Sequence, residues 1–247
     1  MRSILFLFGV ILLSGGQATQ LVALDPSCAD CTHTKAYDAA KVYGAHPTQG
    51  VILHLHDCRG LGVDKGWQLE WLEYLNHNGF VVIAIDSFAD VRPPPVACPS
   101  DPWGNLYTKV MLYTIRIRQA EHAVKKIKEK YPDQRIFVWG HSEGGVTAQM
   151  MNAEIDGAIS TGAPCPAEWL EGIAQTPFLV IQGTDDPILQ ETKKNPLYES
   201  LDDRCKINMT EPKWEWLTVE GMGHEAELSR EEVKRRIAKF LSGSGGQ

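Results

Sequence analysis

The chain has 247 residues, of which 43% are hydrophobic and 22% are charged. A chain of this length and composition can build one sizeable hydrophobic core and is short for two, so we expect a single globular domain. The net charge of −7 is spread without long blocks of like charge, which argues against nucleic acid or an anionic membrane surface as a partner.

The first predicted element is a cleaved signal peptide at residues 1–18. Arg2 precedes an apolar stretch at residues 4–13, and small residues of the kind that signal peptidase prefers follow that stretch. The stretch is shorter than the roughly 18 apolar residues that a transmembrane helix needs. We therefore expect a secreted or periplasmic protein, free of the membrane after signal cleavage, with one domain at residues 19–241 and a flexible tail at 242–247.

The six cysteines favour disulfides in an exported protein, because their number is even and the compartment is oxidising. Several pairings fit the sequence, and our working prediction joins Cys28 to Cys31, Cys58 to Cys98 and Cys165 to Cys205. The alternative use of Cys28 and Cys31, together with His33, is a redox or metal site. No second pair of ligands with zinc-like spacing accompanies them, so a structural link is favoured.

The rest of the chain alternates predicted strands and helices. Apolar runs predict strands at residues 51–56, 80–85, 135–139, 157–160, 178–182 and 214–219. Apolar residues at three- and four-residue spacing predict helices at residues 68–76, 107–130, 146–152 and 230–241. This order predicts an α/β fold, with a mostly parallel central sheet and helices on both faces.

A serine follows the predicted strand at residues 135–139, in the pattern Gly140-His141-Ser142-Glu143-Gly144. In a nucleophile elbow, a strained turn lifts the serine hydroxyl above the sheet, and the flanking glycines let the strand and the next helix meet closely. The same five-residue pattern arises by chance in ordinary turns. A catalytic role for Ser142 therefore depends on partners elsewhere in the chain.

The partners that a serine nucleophile needs follow two later strands. Acyl transfer requires an imidazole that accepts the hydroxyl proton and a carboxylate that orients the imidazole. His224 is the only histidine beyond Ser142, and Asp185 and Asp186 stand in the turn after the strand at residues 178–182. Each residue alone would be an ordinary loop residue. The order serine, acid, histidine, with each member after an apolar strand, predicts a catalytic triad.

Further motifs resemble the dienelactone hydrolase family of the α/β-hydrolase superfamily. These are His56-Asp57-Cys58-Arg59-Gly60 after the first strand and Asp86-Ser87-Phe88-Ala89 after the second, with Arg92 and Cys98 beyond them. The likeness extends from about residue 51 to the last predicted helix. It implies the α/β-hydrolase fold, and the spacing of the family's motif implies Asp186 rather than Asp185 as the acid.

Two residues depart from the pattern of that family. Dienelactone hydrolases use a cysteine nucleophile where this chain has Ser142, so the resemblance favours ester hydrolysis in general over a dienelactone substrate. Asp57 stands where the family usually has a glycine, in the loop that supplies the oxyanion hole. Its carboxylate either points away from the site or disfavours a developing oxyanion.

The resemblance also implies where the oxyanion would bind. One donor is the backbone N–H of Glu143, directly after the nucleophile, and motif matching places the second at the N–H of Cys58. The predicted reaction is two-step acyl transfer through a covalent acyl-enzyme. It needs no metal or organic cofactor.

The sequence gives only general indications of the substrate pocket. The proline-rich segment at residues 90–103 follows a strand's carboxyl end, and we predict that Phe88 and Trp103 contact the substrate. The short spacings between the triad residues leave little room for a large cap domain, which favours an open site for a small-molecule ester or lactone. His54 and His56 are predicted to point the same way along their strand and to satisfy buried polar groups, without a catalytic role.

Three alternatives stay open at this point. The same fold serves as a non-catalytic binding protein if Asp57 spoils the oxyanion loop. A secreted thiol–disulfide protein would instead use Cys28 and Cys31. Among enzymes, a thioesterase or peptidase would use the same triad. The sequence does not determine the oligomeric state.

Overall fold

A computed structural model describes residues 31–61, 66–89, 106–164, 176–193, 214–227 and 229–243 of the chain. The strands are β1 (Lys41–Tyr43), β2 (Gly50–Leu55), β3 (Phe80–Ile85), β4 (Ile136–His141), β5 (Gly157–Thr161), β6 (Phe178–Gly183) and β7 (Trp214–Val219). The helices are α1 (Cys31–Asp38), α2 (Trp67–His77), α3 (Leu106–Lys130), α4 (Glu143–Met150), α5 (Pro187–Lys193) and α6 (Glu231–Leu241).

The strands form one sheet in the order β1-β3-β2-β4-β5-β6-β7. β1 pairs antiparallel with β3 at one edge, and all other neighbours are parallel. The prediction of a mostly parallel sheet is confirmed. The register pairs Leu55 with Gly140 and Gly140 with Ser160, so the carboxyl ends of β2, β4 and β5 lie side by side. In open parallel sheets, functional sites form at the carboxyl ends of the strands.

Helices cover both faces of the sheet, as predicted. Strands β2 to β6 are accordingly buried at every position. One hydrophobic core includes Trp71 of α2 and Ile237 of α6, and the other includes Ile127 of α3 and Ala148 of α4. Within the described part of the chain, no helix combines the length and apolar character that crossing a membrane requires.

Three short elements were not predicted from the sequence, namely α1, β1 and α5. β1 has three residues and its Val42 is 51% exposed, so this strand lacks the apolar run that marks the others. Helix α4 begins at Glu143 rather than at Val146, because Ser142 takes the N-cap position. The predicted signal peptide lies outside the described residues.

Candidate active site

Three predicted site residues follow the carboxyl ends of parallel strands. Ser142 follows β4, Asp186 follows β6 and His224 follows β7. Because β4 and β6 both pair with β5, and β7 pairs with β6, these ends lie at one edge of the sheet. The fold therefore brings residues that are far apart in the chain to one side of the molecule.

Ser142 has a strained backbone. Its φ of 53° and ψ of −118° make it the one non-glycine residue with positive φ in the described part of the chain. Its N–H donates to the carbonyl of Thr161 at 2.9 Å, and its own carbonyl accepts the N–H of Val146 at 3.0 Å. Strain of this kind persists only where surrounding contacts impose it, and it clusters at functional sites. The turn has the conformation that a nucleophile elbow requires.

The two glycines of the elbow are required by close backbone contacts. A Cβ atom at Gly140 would collide with the carbonyl oxygen of Gly144, and a Cβ atom at Gly144 would collide with the carbonyl oxygen of Leu55. Larger residues would separate β4 from α4, or α4 from β2. The glycines thus let the elbow pack directly against the end of β2.

Asp186 is completely buried and holds the imidazole of His224. Its Oδ2 accepts a hydrogen bond from Nδ1–H of His224 at 2.8 Å. Its Oδ1 accepts the backbone N–H groups of Ile188 at 2.9 Å and Leu189 at 3.2 Å, in the first turn of α5. The start of α5 therefore fixes the carboxylate from one side while the histidine occupies the other.

Asp185 is placed differently from its neighbour. Its side chain is exposed, and its Oδ1 accepts a hydrogen bond from the hydroxyl of Thr184 at 2.9 Å. The structure thus brings Asp186, the aspartate that the motif spacing favoured, to the histidine.

The hydrogen bond to Asp186 makes Nδ1 of His224 a donor and leaves Nε2 as the ring atom that can accept a proton. The His224 side chain is 19% exposed. Its loop is anchored by the indole N–H of Trp71, which donates to the carbonyl of Ala226 at 2.6 Å. Among the described residues, no hydrogen bond joins the Ser142 hydroxyl to His224. Such contacts are often long in ligand-free enzymes and tighten when substrate binds.

A buried, neutral histidine lies beside His224. The ring of His141 is 4.8 Å from that of His224 and 4.5 Å from that of Trp67. Burial, followed by the electrostatic influence of the nearby His224 ring, lowers the pKa of His141 well below its ordinary value. Its Nδ1 lies 3.0 Å from the hydroxyl of Thr161. His141 therefore packs against the candidate base without adding a charge.

The two predicted oxyanion donors lie on segments that pack together. Glu143 is the first residue of α4, where a backbone N–H has no partner within the helix. Cys58 follows β2, and its sulfur is disulfide-bonded. The predicted partner Cys98 lies outside the described residues, as do Cys28, Cys165 and Cys205, so all three pairings stay predictions.

The carboxylate of Asp57 is held by hydrogen bonds from two residues, Arg59 and Gln68. Arg59 donates to it from its backbone N–H at 2.7 Å, from Nε at 2.8 Å and from a terminal guanidinium nitrogen at 2.5 Å. Gln68 donates a fourth hydrogen bond at 3.0 Å. Burial alone would raise the pKa of Asp57, but the hydrogen bonds from Arg59 outweigh burial and lower it. The negative charge is therefore paired with a cation.

His56 fixes the backbone of the same loop. Its Nδ1–H donates to the carbonyl of Asp57 at 2.6 Å, and its Nε2 accepts the backbone N–H of Ser87 at 3.0 Å. A protonated Nε2 could not accept that hydrogen bond, so the ring is neutral. Burial, and then the charge of Arg116, lower the pKa of His56 to about 3. The ring links the ends of β2 and β3, which is the polar-satisfying role expected of it.

Phe88 is half-buried beside this histidine. Its ring lies 4.7 Å from the ring of His56, and the guanidinium of Arg116 lies 5.5 Å from its centroid. Phe88 therefore lies beside the start of the proposed oxyanion loop. Its contact with substrate stays a prediction, and Trp103 lies outside the described residues.

Two buried residues near the site were missed by the sequence-based reasoning. Arg116 of α3 is 1% exposed, and it donates hydrogen bonds to the carbonyl of His56 and to the carboxylate of Glu143. His141 is the other. His141 stands inside the elbow motif and was visible there. Arg116 carried no comparable signal, because a charged residue on a long helix is normally solvent-exposed.

The described residues contain no group of three or more histidine, cysteine, aspartate or glutamate side chains arranged to hold a metal ion. What they do contain is a strained serine, a buried acid–histidine pair and a helix N-terminus beside the serine. This combination can perform proton transfer, nucleophilic attack and stabilisation of an anion.

Part of the chain matches a known protein family. Residues 86–160 match the model of the family described as lipase (class 3). This segment covers less than half of the chain and includes Ser142. No curated protein sequence matches the chain at a significant level.

Solved structures resemble the chain over most of its length. A monoacylglycerol lipase from Paleococcus ferrophilus matches with a TM-score of 0.56 at 16% identity, over 83% of this chain and 98% of that one. A carboxyl esterase from Bacillus coagulans matches with a TM-score of 0.56 at 15% identity, over 83% and 93%. A dienelactone hydrolase-like promiscuous phosphotriesterase from metagenomic libraries matches with a TM-score of 0.57 at 16% identity, over 83% and 91%. The chain therefore has the α/β-hydrolase fold, as predicted.

Proposed function

We propose that this chain of the α/β-hydrolase fold is a serine hydrolase that cleaves carboxylic esters, with Ser142 as nucleophile, His224 as base and Asp186 as the orienting acid. One observation carries the proposal. A serine with strained positive φ stands at the same sheet edge as a histidine whose Nδ1–H is bound to a completely buried carboxylate at 2.8 Å. Structural turns and ion pairs rarely combine these features.

In the first step, the Ser142 hydroxyl attacks the ester carbonyl carbon and His224 Nε2 accepts the hydroxyl proton. The imidazolium that forms is stabilised by Asp186, which keeps its hydrogen bond to Nδ1–H throughout. His224 then donates the proton to the leaving alcohol. The product of this half-reaction is an acyl-enzyme on Ser142.

In the second step, water attacks the acyl-enzyme, with His224 accepting a proton from it and returning that proton to Ser142. In both steps the carbonyl oxygen becomes negatively charged. We assign its stabilisation to the backbone N–H groups of Glu143 and Cys58. The partial positive charge at the N-terminus of α4 acts in the same direction.

The observations at Asp57 favour catalysis over the binding-protein alternative. The Asp57 carboxylate, which would disfavour an oxyanion if it were unpaired, is held by Arg59 and Gln68. Arg59 also supplies the opposite charge. With that charge paired, nothing in the described loop opposes an oxyanion.

The proposed substrate class rests on the similar solved structures as well as on the geometry of the site. Two of the three solved structures compared above are a monoacylglycerol lipase and a carboxyl esterase, which supports esters over peptides, and the third is a dienelactone hydrolase-like promiscuous phosphotriesterase. We propose a small ester or lactone, in line with the short spacings between the triad residues. Membership of the dienelactone hydrolase family is likewise a proposal, based on the motifs around His56 and Asp86.

We also propose that the protein is exported, with residues 1–18 as a cleaved signal peptide. The disulfide at Cys58 supports this, because such bonds persist in oxidising compartments. N-terminal sequencing of the protein recovered from the periplasm or medium tests the proposal. A mature chain that still begins at Met1 would contradict it.

The experiment for the enzymatic proposal is hydrolysis of p-nitrophenyl esters of graded acyl length by the wild type and by Ser142→Ala. We expect turnover by the wild type and a loss of at least about 10³-fold in the variant. The acyl length at which the rate peaks reports the depth of the pocket. Equal turnover by both proteins would refute the role of Ser142.

A further inference from the structure

Arg116 is a buried cation beside the segments that follow β2 and β4. It lies on α3 with only 1% of its side chain exposed. One terminal nitrogen donates to Oε2 of Glu143 at 3.1 Å, and the other donates to the backbone carbonyl of His56. Phe88 lies against the guanidinium, with 5.5 Å between the ring centroid and the guanidinium carbon.

Burying a guanidinium is unfavourable unless it is paired. Burial lowers the pKa of Arg116, and the negative charge of Glu143 opposes that shift. Nε of Arg116 has no hydrogen-bond partner among the described residues. An ion pair in such a place is weak evidence for stability, because well-packed apolar side chains would often serve as well. The position of the pair therefore calls for another explanation.

The two groups held by Arg116 belong to the two segments that carry the proposed oxyanion donors. Glu143 carries one of the two donor N–H groups. The carbonyl of His56 belongs to the peptide directly before the one whose N–H is that of Cys58. One rigid guanidinium thus connects the end of β2 to the start of α4.

A second residue of α3 extends this connection. Gln119, which is completely buried and lies one helical turn after Arg116, donates to the carbonyl of Ser87 at 3.3 Å. The N–H of Ser87 in turn donates to His56. Helix α3 therefore holds the chain segments that follow β2, β3 and β4.

Charge gives a further reason for the arrangement. Glu143 places a mostly buried carboxylate, 13% exposed, directly after the nucleophile. An unpaired carboxylate there would oppose the negative charge that develops on the substrate oxygen. The guanidinium of Arg116 cancels that charge without reaching solvent.

We propose that Arg116 is a positioning residue for the oxyanion hole: it fixes the separation of the Glu143 and Cys58 N–H groups and neutralises the Glu143 carboxylate beside the developing oxyanion. The inference rests on the proposed function. It assigns Arg116 no contact with substrate.

The test compares kcat, KM and thermal midpoint for Arg116→Met, for the double variant Arg116→Met/Glu143→Gln, and for Arg118→Met, an exposed arginine on the same helix. For Arg116→Met we expect kcat to fall by about 10²-fold, the effect of losing one oxyanion donor, while KM changes by less than about threefold. The double variant should recover part of the loss and remain about tenfold below the wild type, because it has no unpaired carboxylate but still leaves the His56 carbonyl unheld. Arg118→Met should match the wild type.

A lower thermal midpoint with kcat within about threefold of the wild type in Arg116→Met would overturn the inference, since the pair would then be structural only. If Arg116→Met does not fold, the double variant Arg116→Met/Glu143→Gln becomes the test. A wild-type kcat in the double variant would overturn the inference. Failure of the proposed function looks different. The wild type would then hydrolyse none of the esters, whatever residue occupies position 116.

Discussion

The pair formed by Asp186 and His224 shows how two adjacent residues of the same type can differ in role. Asp186 is completely buried and accepts three hydrogen bonds, one of them from His224. Asp185 is exposed and accepts one from Thr184. The buried Asp186 carboxylate is oriented toward His224, whereas the Asp185 carboxylate faces solvent, so only Asp186 can fix the tautomer of the histidine.

Asp186→Asn should therefore lower kcat by about 10²- to 10⁴-fold, because the amide no longer holds Nδ1–H of His224 in the productive tautomer. Asp185→Asn is the matched control and should keep kcat within about twofold of the wild type. Steady-state kinetics with a p-nitrophenyl ester measure both. Loss of activity in the Asp185 variant alone would reverse the assignment of the acid.

Sequence patterns were sufficient to find residues whose signal is local. Ser142 stands in a five-residue motif, and His224 is the only histidine after it. Arg116 could not be found in this way. In the sequence it looks equivalent to Arg118, two residues on, and only the fold determines that one of them points into the core and the other into solvent.

Among the elements, the junction of β4, α4 and β2 determines the geometry of the site. Gly144 packs so closely against the carbonyl of Leu55 that α4 and β2 are in direct backbone contact. The proposed oxyanion donors lie on α4 and on the loop after β2. Their separation is thus set by this contact as well as by Arg116.

Gly144→Ala should push α4 from β2, lowering stability by about 1–3 kcal/mol through overpacking and lowering kcat by more than tenfold. Gly223→Ala is the control, because a Cβ atom at Gly223 would meet no atom within 4 Å even though His224 is adjacent. Urea unfolding and ester kinetics on both variants test this. Wild-type kcat in Gly144→Ala would show that the contact does not position the donors.

Among the strands and helices, the sequence predicted the buried strands and the amphipathic helices, because each extends over at least five residues of regular pattern. It missed α1, β1 and α5, of eight, three and seven residues, since elements this short depend on tertiary contacts. The pairing of β1 with β3 rests on backbone hydrogen bonds, which no side-chain pattern shows.

For the whole molecule, the buried histidines make stability depend on pH. His56 is neutral when folded, with a pKa of about 3, and His141 also has a strongly lowered pKa. When the chain unfolds, each ring returns to the ordinary value of about 6.5. Between about pH 3 and 6.5 the unfolded chain therefore binds protons that the folded chain excludes, so folding weakens as the pH falls through this range.

We expect the free energy of unfolding to fall between pH 6.5 and 4, with His56 contributing up to about 1.4 kcal/mol per pH unit. His56→Gln should lower stability at pH 7 but give a shallower dependence on pH, whereas His46→Gln, at an exposed site, should keep the wild-type slope. Urea unfolding at several pH values measures the slopes. An unchanged slope in His56→Gln would show that His56 is not the group responsible.

The central claim is that Ser142 is an activated nucleophile. Its most direct test is covalent labelling with a fluorophosphonate, followed by mass spectrometry of the labelled peptide, in the wild type, Ser142→Ala and His224→Ala. We predict stoichiometric labelling on Ser142 in the wild type, none in Ser142→Ala, and labelling at least about 10²-fold slower in His224→Ala, which lacks the base. An unlabelled wild type, or a label on another residue, would contradict the claim.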